Sequence, residues 1–119
     1  MNWVAVFIGG GLGSLMRYAI SRWVISFGYA HLPLATFLAN LFATALLAVV
    51  VWKLPIHVSP NWHLALAVGL CGGLSTFSTF SLETYELIKS GQTVWALINV
   101  GFSIFACLLI ILILSKSLK

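Results

Sequence analysis

The residues best suited to chemistry lie in one short stretch, Gly72 to Ser81, which reads Gly-Gly-Leu-Ser-Thr-Phe-Ser-Thr-Phe-Ser. Two adjacent glycines and five hydroxyl residues stand where a membrane helix normally carries Leu, Ile or Val. Each glycine lowers helix propensity by about 1 kcal/mol relative to alanine, so the sequence predicts a helix break at Gly72 and Gly73. Backbone groups uncovered inside a bilayer need protein, water or an ion as partners. The break is therefore expected to lie at an interface or to hold an ion.

Two phenylalanines, Phe77 and Phe80, follow the predicted break and share one face if that segment is helical. Aromatic packing in a core accounts for such a pair by itself. The interleaved hydroxyl residues, which include Ser78 and Thr79, reduce that preference. The pair and its neighbours are therefore candidates for an ion pathway.

Membrane helices must position this stretch. Of 119 residues, 61% are hydrophobic and only 7% are charged, which is more apolar surface than a soluble domain of this size can bury. The charged residues are scattered singly near segment ends, which excludes a nucleic-acid-binding surface. The sequence contains no nucleophile–base pair and no metal-binding constellation, so an enzyme is not expected. We expect an integral membrane protein in contact with lipid.

The predicted fold is all-α, with a single domain over residues 1–119. Its four transmembrane spans cover residues 3–27, 33–53, 62–86 and 93–115 approximately, each long enough to cross about 30 Å of hydrocarbon. The third helix is expected to be broken near its middle. Glu83 and Glu86, at the end of that span, are expected to be solvated.

Two polar stripes run along otherwise apolar spans at four-residue spacing. They are Thr36, Asn40 and Thr44 in the second span, and Asn99, Ser103 and Cys107 in the fourth. Polar groups facing lipid are costly, so the stripes should point inward. For the threonines, hydrogen bonds between helices explain the pattern as well as a functional role does. Asn40 has two donors and two acceptor sites to satisfy, which favours a functional role.

The first span combines small residues with an internal cation. Gly9 and Gly13 are four residues apart, a spacing that lets two membrane helices approach closely. Arg17 lies well inside the span, where a charge costs about 2.5 to 3.5 kcal/mol on insertion scales. Two interpretations stay open: Arg17 pairs or faces a water-filled cavity, or it snorkels with Arg22 to the membrane surface.

Charge at the two ends of the spans differs too little to set one orientation by the positive-inside rule. Such a chain can insert in both directions, and two opposite copies can assemble about an axis in the membrane plane. Four short helices cannot enclose a pore unaided, so a homo-oligomer is expected.

Three segments resemble the CrcB or Fluc family of fluoride channels. They are residues 72–81 as written above, Gly-Gly-Gly-Leu-Gly-Ser-Leu-Met-Arg-Tyr at residues 9–18, and Thr-Phe-Leu-Ala-Asn at residues 36–40. The similarity covers all four spans. It implies an antiparallel, dual-topology homodimer in the bacterial inner membrane, which passively exports fluoride from the cytoplasm through two symmetry-related pores.

The resemblance also implies the site residues. A structural sodium ion at the dimer centre would be bound by the backbone carbonyls of Gly72 and Ser75. The pore would be formed by Asn40, Phe77 and Phe80, with Thr36, Ser78, Thr79, Asn99 and Ser103 as its polar residues and Arg17 at a vestibule. Phenylalanine edges and amide or hydroxyl donors suit fluoride because they replace its tightly held water with positive charge. Family members commonly have tyrosine at the position of Asn99, often serine at Cys107, and usually threonine at Ser75.

Two other classes deserve comparison. A small multidrug transporter is also a four-span dual-topology dimer, but its proton-coupled export of cations needs a carboxylate in the first span. This chain has no Asp or Glu there. A membrane scaffold subunit without transport activity would explain the glycines as packing residues, but not the clustered hydroxyls and paired phenylalanines.

Overall fold

The chain is all-helical in a computed structural model that describes residues 1–57 and 59–119. Its described elements are α1 (Asn2–Ser26), α2 (Leu34–Lys53), α3 (Pro60–His63), a π-helix (Leu64–Leu70), α4 (Cys71–Leu74), α5 (Phe77–Lys89) and α6 (Thr93–Leu118). The third long segment, Pro60–Lys89, consists of α3, the π-helix, α4 and α5, with Ser75 and Thr76 between the last two.

Four helical segments are long and apolar enough to cross a membrane, with lengths of 25, 20, 30 and 26 residues. A 20-residue helix rises about 30 Å, which matches the hydrocarbon core of a bilayer. Large apolar side chains on the outer faces, such as Phe7 and Leu108, are exposed. Lipid is the natural solvent for these faces, and the prediction of an all-α protein with four spans is confirmed.

The third segment is interrupted at Ser75 and Thr76. Their backbones are extended, with φ −77° and ψ 154° at Ser75 and φ −151° and ψ 118° at Thr76. Gly72 and Gly73 lie before the interruption, inside α4, and neither has a positive φ. The prediction of a break near the middle of the third helix is confirmed, but the two glycines themselves stay helical. The break begins two residues after them.

Gly73 allows the third segment to pack closely against α1. A Cβ atom added there would overlap the backbone of Gly10 on α1, and Cβ atoms added at Gly9 or Gly13 would overlap the backbone of the third segment. Two helix backbones meet here at a distance that only glycine permits. The close approach predicted from the spacing of Gly9 and Gly13 is thus present, and its partner lies in the same chain.

Gly13→Ala is expected to lower the free energy of unfolding by about 1 to 3 kcal/mol, because a methyl group would be forced into the facing backbone. Gly11→Ala, two residues away on α1, is the control, since its Cβ would meet no atom within 4 Å. Thermal unfolding of both variants in detergent micelles measures the difference. Equal stability of the two variants would contradict tight packing at Gly13.

The core is small and lies where α4 meets α2. Leu74 is 1% exposed and packs with Ala39, Ala43 and Ile20. The short alanine side chains let α4 approach α2, which places the break beside the polar stripe of α2. Both stripes face inward as predicted: Thr36, Asn99 and Ser103 are buried, and Asn40, Thr44 and Cys107 are half-buried.

Candidate functional site

Asn40 on α2 holds the break in the third segment. Its Oδ1 accepts a hydrogen bond from the Thr76 N–H at 2.7 Å, and its Nδ2 donates to the Thr76 carbonyl oxygen at 3.4 Å. Thr76 is buried, so its peptide groups need partners once they leave the helical pattern. The side-chain amide of Asn40 therefore replaces helical hydrogen bonds at the break.

The same rearrangement changes the environment of two carbonyl groups. In a regular α-helix, each carbonyl accepts from the N–H four residues later. The N–H of Thr76 is taken by Asn40, and the N–H of Thr79 is taken by the Thr76 side chain at 3.2 Å, which caps α5. The carbonyl groups of Gly72 and Ser75 thus lose their regular helical donors. These are the groups that the family resemblance implies as cation ligands.

Phe77 and Phe80 line a groove of about 260 Å³ between α2, α5 and α6, which we call the phenylalanine groove. Their ring centroids are 5.7 Å apart and the rings are tilted by 36°. Its lining consists of Asn40, Thr44, Ser75, Phe77, Phe80, Ser103, Ile104 and Cys107. The structure therefore brings together four of the residues implied for the pore: Asn40, both phenylalanines and Ser103.

A second space, of about 290 Å³, lies between α1, α2 and α5, and we call it the hydroxyl cavity. Its lining consists of Ser14, Arg17, Tyr18, Ser21, Ala35, Thr36, Thr76, Thr79 and Glu83. Three residues implied by the resemblance, Arg17, Thr36 and Thr79, meet here. Arg17 is half-buried and faces this cavity, which favours the first of the two interpretations of its position.

Glu83 also lines this cavity, although it was not among the predicted site residues. Its Oε1 accepts from the Thr36 hydroxyl at 2.8 Å, and its Oε2 is buried without a hydrogen-bond partner among the described residues. The prediction that Glu83 is solvated is wrong, whereas Glu86 is exposed as expected. Glu83 follows Thr79 by four residues on one helix face. The four-residue spacing from Thr79 is thus the sequence signal that places Glu83 on the same side of the helix as a predicted polar residue of the pore.

Asn99 lies outside both spaces. It lines a groove of about 240 Å³ between α2 and α6, together with Ser103. Its Nδ2 donates to the Thr84 hydroxyl on α5 at 2.9 Å. Ser78 is exposed and lines neither the phenylalanine groove nor the hydroxyl cavity, although its Oγ lies 3.3 Å from the Thr76 hydroxyl. The residues implied for one pore are thus divided among several sites.

Comparison with known proteins identifies the family of the chain. The family model described as CrcB-like protein, Camphor Resistance (CrcB), matches residues 4–114, which is nearly the whole chain. The chain belongs to the CrcB family.

Curated relatives in this family are similar over most of their length. The fluoride-specific ion channel FluC of Serratia proteamaculans (strain 568) is 42% identical over 112 residues, covering 92% of this chain and 87% of the relative. FluC 1 of Yersinia pseudotuberculosis serotype I (strain IP32953) is 39% identical over 119 residues, covering 95% and 93%. FluC of Pyrococcus horikoshii is 40% identical over 106 residues, covering 87% and 85%.

These CrcB-family relatives are named ion channels and not enzymes, which agrees with the prediction that the chain is not an enzyme. With four segments able to cross a bilayer, the chain is a multi-pass protein of the inner membrane. The family assignment also favours a channel over the multidrug transporter and the scaffold subunit considered above.

Proposed function

We propose that this CrcB-family protein is a passive channel that exports fluoride from the cytoplasm and so lowers its intracellular concentration. The observation that carries the proposal is the meeting of Asn40, Phe77 and Phe80 in one groove beside the helix break. The names of relatives at about 40% identity support fluoride as the ion.

The chemistry of the phenylalanine groove suits a small, strongly hydrated anion. Ring edges of Phe77 and Phe80 carry positive partial charge. Asn40 uses one amide hydrogen on Thr76 and has a second available as a donor. The hydroxyl of Ser103 lies in the same groove. These groups would replace the water that fluoride gives up as it enters the pore.

A second copy of the chain is the proposed cover for the open side of the groove. Phe77 is 79% exposed in the single chain, although it stands beside polar residues in the middle of the third segment. An oppositely oriented copy would bury both Phe77 rings and create two symmetry-related pores. The small charge difference between the ends of the chain supports insertion in both orientations.

Sodium at the dimer centre is proposed to be held by the carbonyl oxygens of Gly72 and Ser75. Hard cations prefer oxygen ligands, and these carbonyls have lost their regular helical donors. The positive charge of the ion would compensate the partial negative charge of the carbonyl oxygens that the two facing copies contribute. No group of three or more His, Cys, Asp or Glu able to hold a metal occurs in residues 1–57 and 59–119.

Fluoride efflux from liposomes tests the proposed function. Purified protein in vesicles loaded with potassium fluoride is expected to release fluoride after addition of a potassium ionophore, as measured with a fluoride-selective electrode. Vesicles loaded with potassium chloride are expected to retain chloride. Release of both ions at equal rates, or of neither, would contradict the proposal.

Arg17→Ala is expected to slow fluoride efflux by roughly tenfold, because a cation lining a cavity raises the local concentration of anions. Arg17→Lys should retain most of the flux, since it keeps the charge. Arg22→Ala is the matched control, because Arg22 is exposed and does not line the hydroxyl cavity. Initial efflux rates of the three variants distinguish the interpretations, and equal rates for Arg17→Ala and Arg22→Ala would support snorkelling.

A further inference from the structure

Helix α5 carries both phenylalanines of the groove, and other helices tether it by polar contacts. From α2, Asn40 bonds the Thr76 cap and Thr36 bonds Glu83. Within residues 1–57 and 59–119, α6 contributes a single side-chain hydrogen bond to α5, which Asn99 donates. Among the described residues, this bond is therefore the one polar contact that sets the register of α5 against α6.

This contact continues to the backbone of Phe80. Asn99 Nδ2 donates to the Thr84 hydroxyl at 2.9 Å, and the same hydroxyl donates to the Phe80 carbonyl oxygen at 2.8 Å. The two bonds use the hydroxyl once as acceptor and once as donor, so they are mutually compatible. A threonine bonded to the carbonyl four residues earlier also bends its helix locally. The amide on α6 thus reaches the turn of α5 that carries Phe80.

Asn99 is poorly placed to bind the anion itself. It is 7% exposed, its side-chain N–H groups include the donor to Thr84, and it is not part of the lining of the phenylalanine groove. Ser103, one turn later on α6, does line that groove. The two polar residues of α6 therefore differ in what they can contact.

We propose that Asn99 is a positioning residue for ion passage, which acts through Thr84 on Phe80 and does not contact fluoride. The inference rests on the proposed function and changes the role that the family resemblance implies for Asn99. The relay of amide, hydroxyl and carbonyl keeps the Phe80 turn of α5 at a defined distance from α6, so that the ring edge stays in the groove.

A double-mutant cycle on fluoride efflux tests the relay. Asn99→Leu and Thr84→Val are close in shape to the native residues. Asn99→Leu removes the first hydrogen bond of the relay, and Thr84→Val removes both, because the hydroxyl takes part in each. Each variant is expected to slow efflux by roughly threefold to tenfold, since either change disconnects Asn99 from Phe80 and one neutral hydrogen bond has about this effect. The double variant is expected to be no slower than the slower single variant, because both changes interrupt the same connection. Thr84→Ser keeps the hydroxyl and should retain the wild-type rate.

The controls separate a positioning role from general damage. Ser115→Ala removes a hydroxyl on α6 whose one partner among residues 1–57 and 59–119 is the Leu112 carbonyl, at 2.8 Å, and it should leave efflux unchanged. Size-exclusion profiles should be alike for Thr84→Val and Thr84→Ser at the assay temperature, so that their difference in flux is compared between folded proteins.

Three outcomes would overturn the inference. Multiplicative slowing in the double variant would mean that Asn99 acts independently of Thr84, as a residue in contact with the ion would. Wild-type rates in both single variants would mean that the relay has no part in transport. Absence of fluoride flux in the wild-type protein would refute the proposed function first, and the relay with it.

Discussion

Phe80→Ile is expected to lower fluoride efflux by about a hundredfold or more while the protein assembles as the wild type does. Isoleucine fills much of the space of the ring but has no positively charged edge to offer a dehydrating anion. A hundredfold loss corresponds to about 2.7 kcal/mol in the barrier for passage. Phe80 lines the groove, and its ring centroid lies 5.7 Å from that of Phe77. Because of this position, we expect the substitution to change the rate of transport more than the stability of the fold.

The control for this variant is Phe105→Ile, the same substitution on α6. Phe105 is exposed and is not part of the phenylalanine groove, so its replacement should leave efflux near the wild-type rate. Liposome efflux and size-exclusion chromatography of both variants give the comparison. Unchanged flux in Phe80→Ile would assign the phenylalanine pair to aromatic packing, the alternative that the sequence left open.

Replacements of Asn40 are expected to separate its two roles. Asn40→Ala leaves the peptide groups of buried Thr76 without partners, and we expect a loss of about 1 to 3 kcal/mol in the free energy of unfolding. Asn40→Asp keeps an oxygen that accepts from the Thr76 N–H, so it should lose less stability. Both variants lack an amide donor, and the carboxylate also repels anions. Fluoride efflux should therefore be lost in both.

Two measurements on each variant are needed, thermal unfolding in detergent and fluoride efflux from liposomes. The expected pattern is loss of transport in both variants, with a large loss of stability confined to Asn40→Ala. Retained efflux in Asn40→Asp would show that Asn40 serves only to hold the helix break. Equal stability of Asn40→Ala and the wild type would show that the amide is not needed at the break.

The structure also changes the explanation of the central stretch. Two glycines in a helix predict a break by their low propensity, yet Gly72 and Gly73 remain helical. Close packing of α1 on Gly73 stabilises that conformation, because the missing side chain is what permits the contact. The extended residues Ser75 and Thr76 follow, where Asn40 supplies the hydrogen bonds that the helix would otherwise provide. Tertiary contacts thus overrode local propensity here.

Some properties of the protein follow from the sequence by itself. Segment length and apolar content determine four membrane spans, and four-residue spacing determines that the polar stripes of α2 and α6 face inward. Those features are local, since they depend on the rise and period of one helix. The motif around Phe77 and Phe80, together with residues 9–18 and 36–40, also indicates the family.

Only the tertiary structure decided which polar groups are partners. Asn40 bonds a residue 36 positions away, Thr36 bonds Glu83 across 47 positions, and Asn99 bonds Thr84 across 15. Such pairs depend on the relative rotation and depth of packed helices, which spacing within one helix does not define. For that reason the site of the break, the partial burial of Glu83 and the relay to Phe80 could not be read from the chain alone.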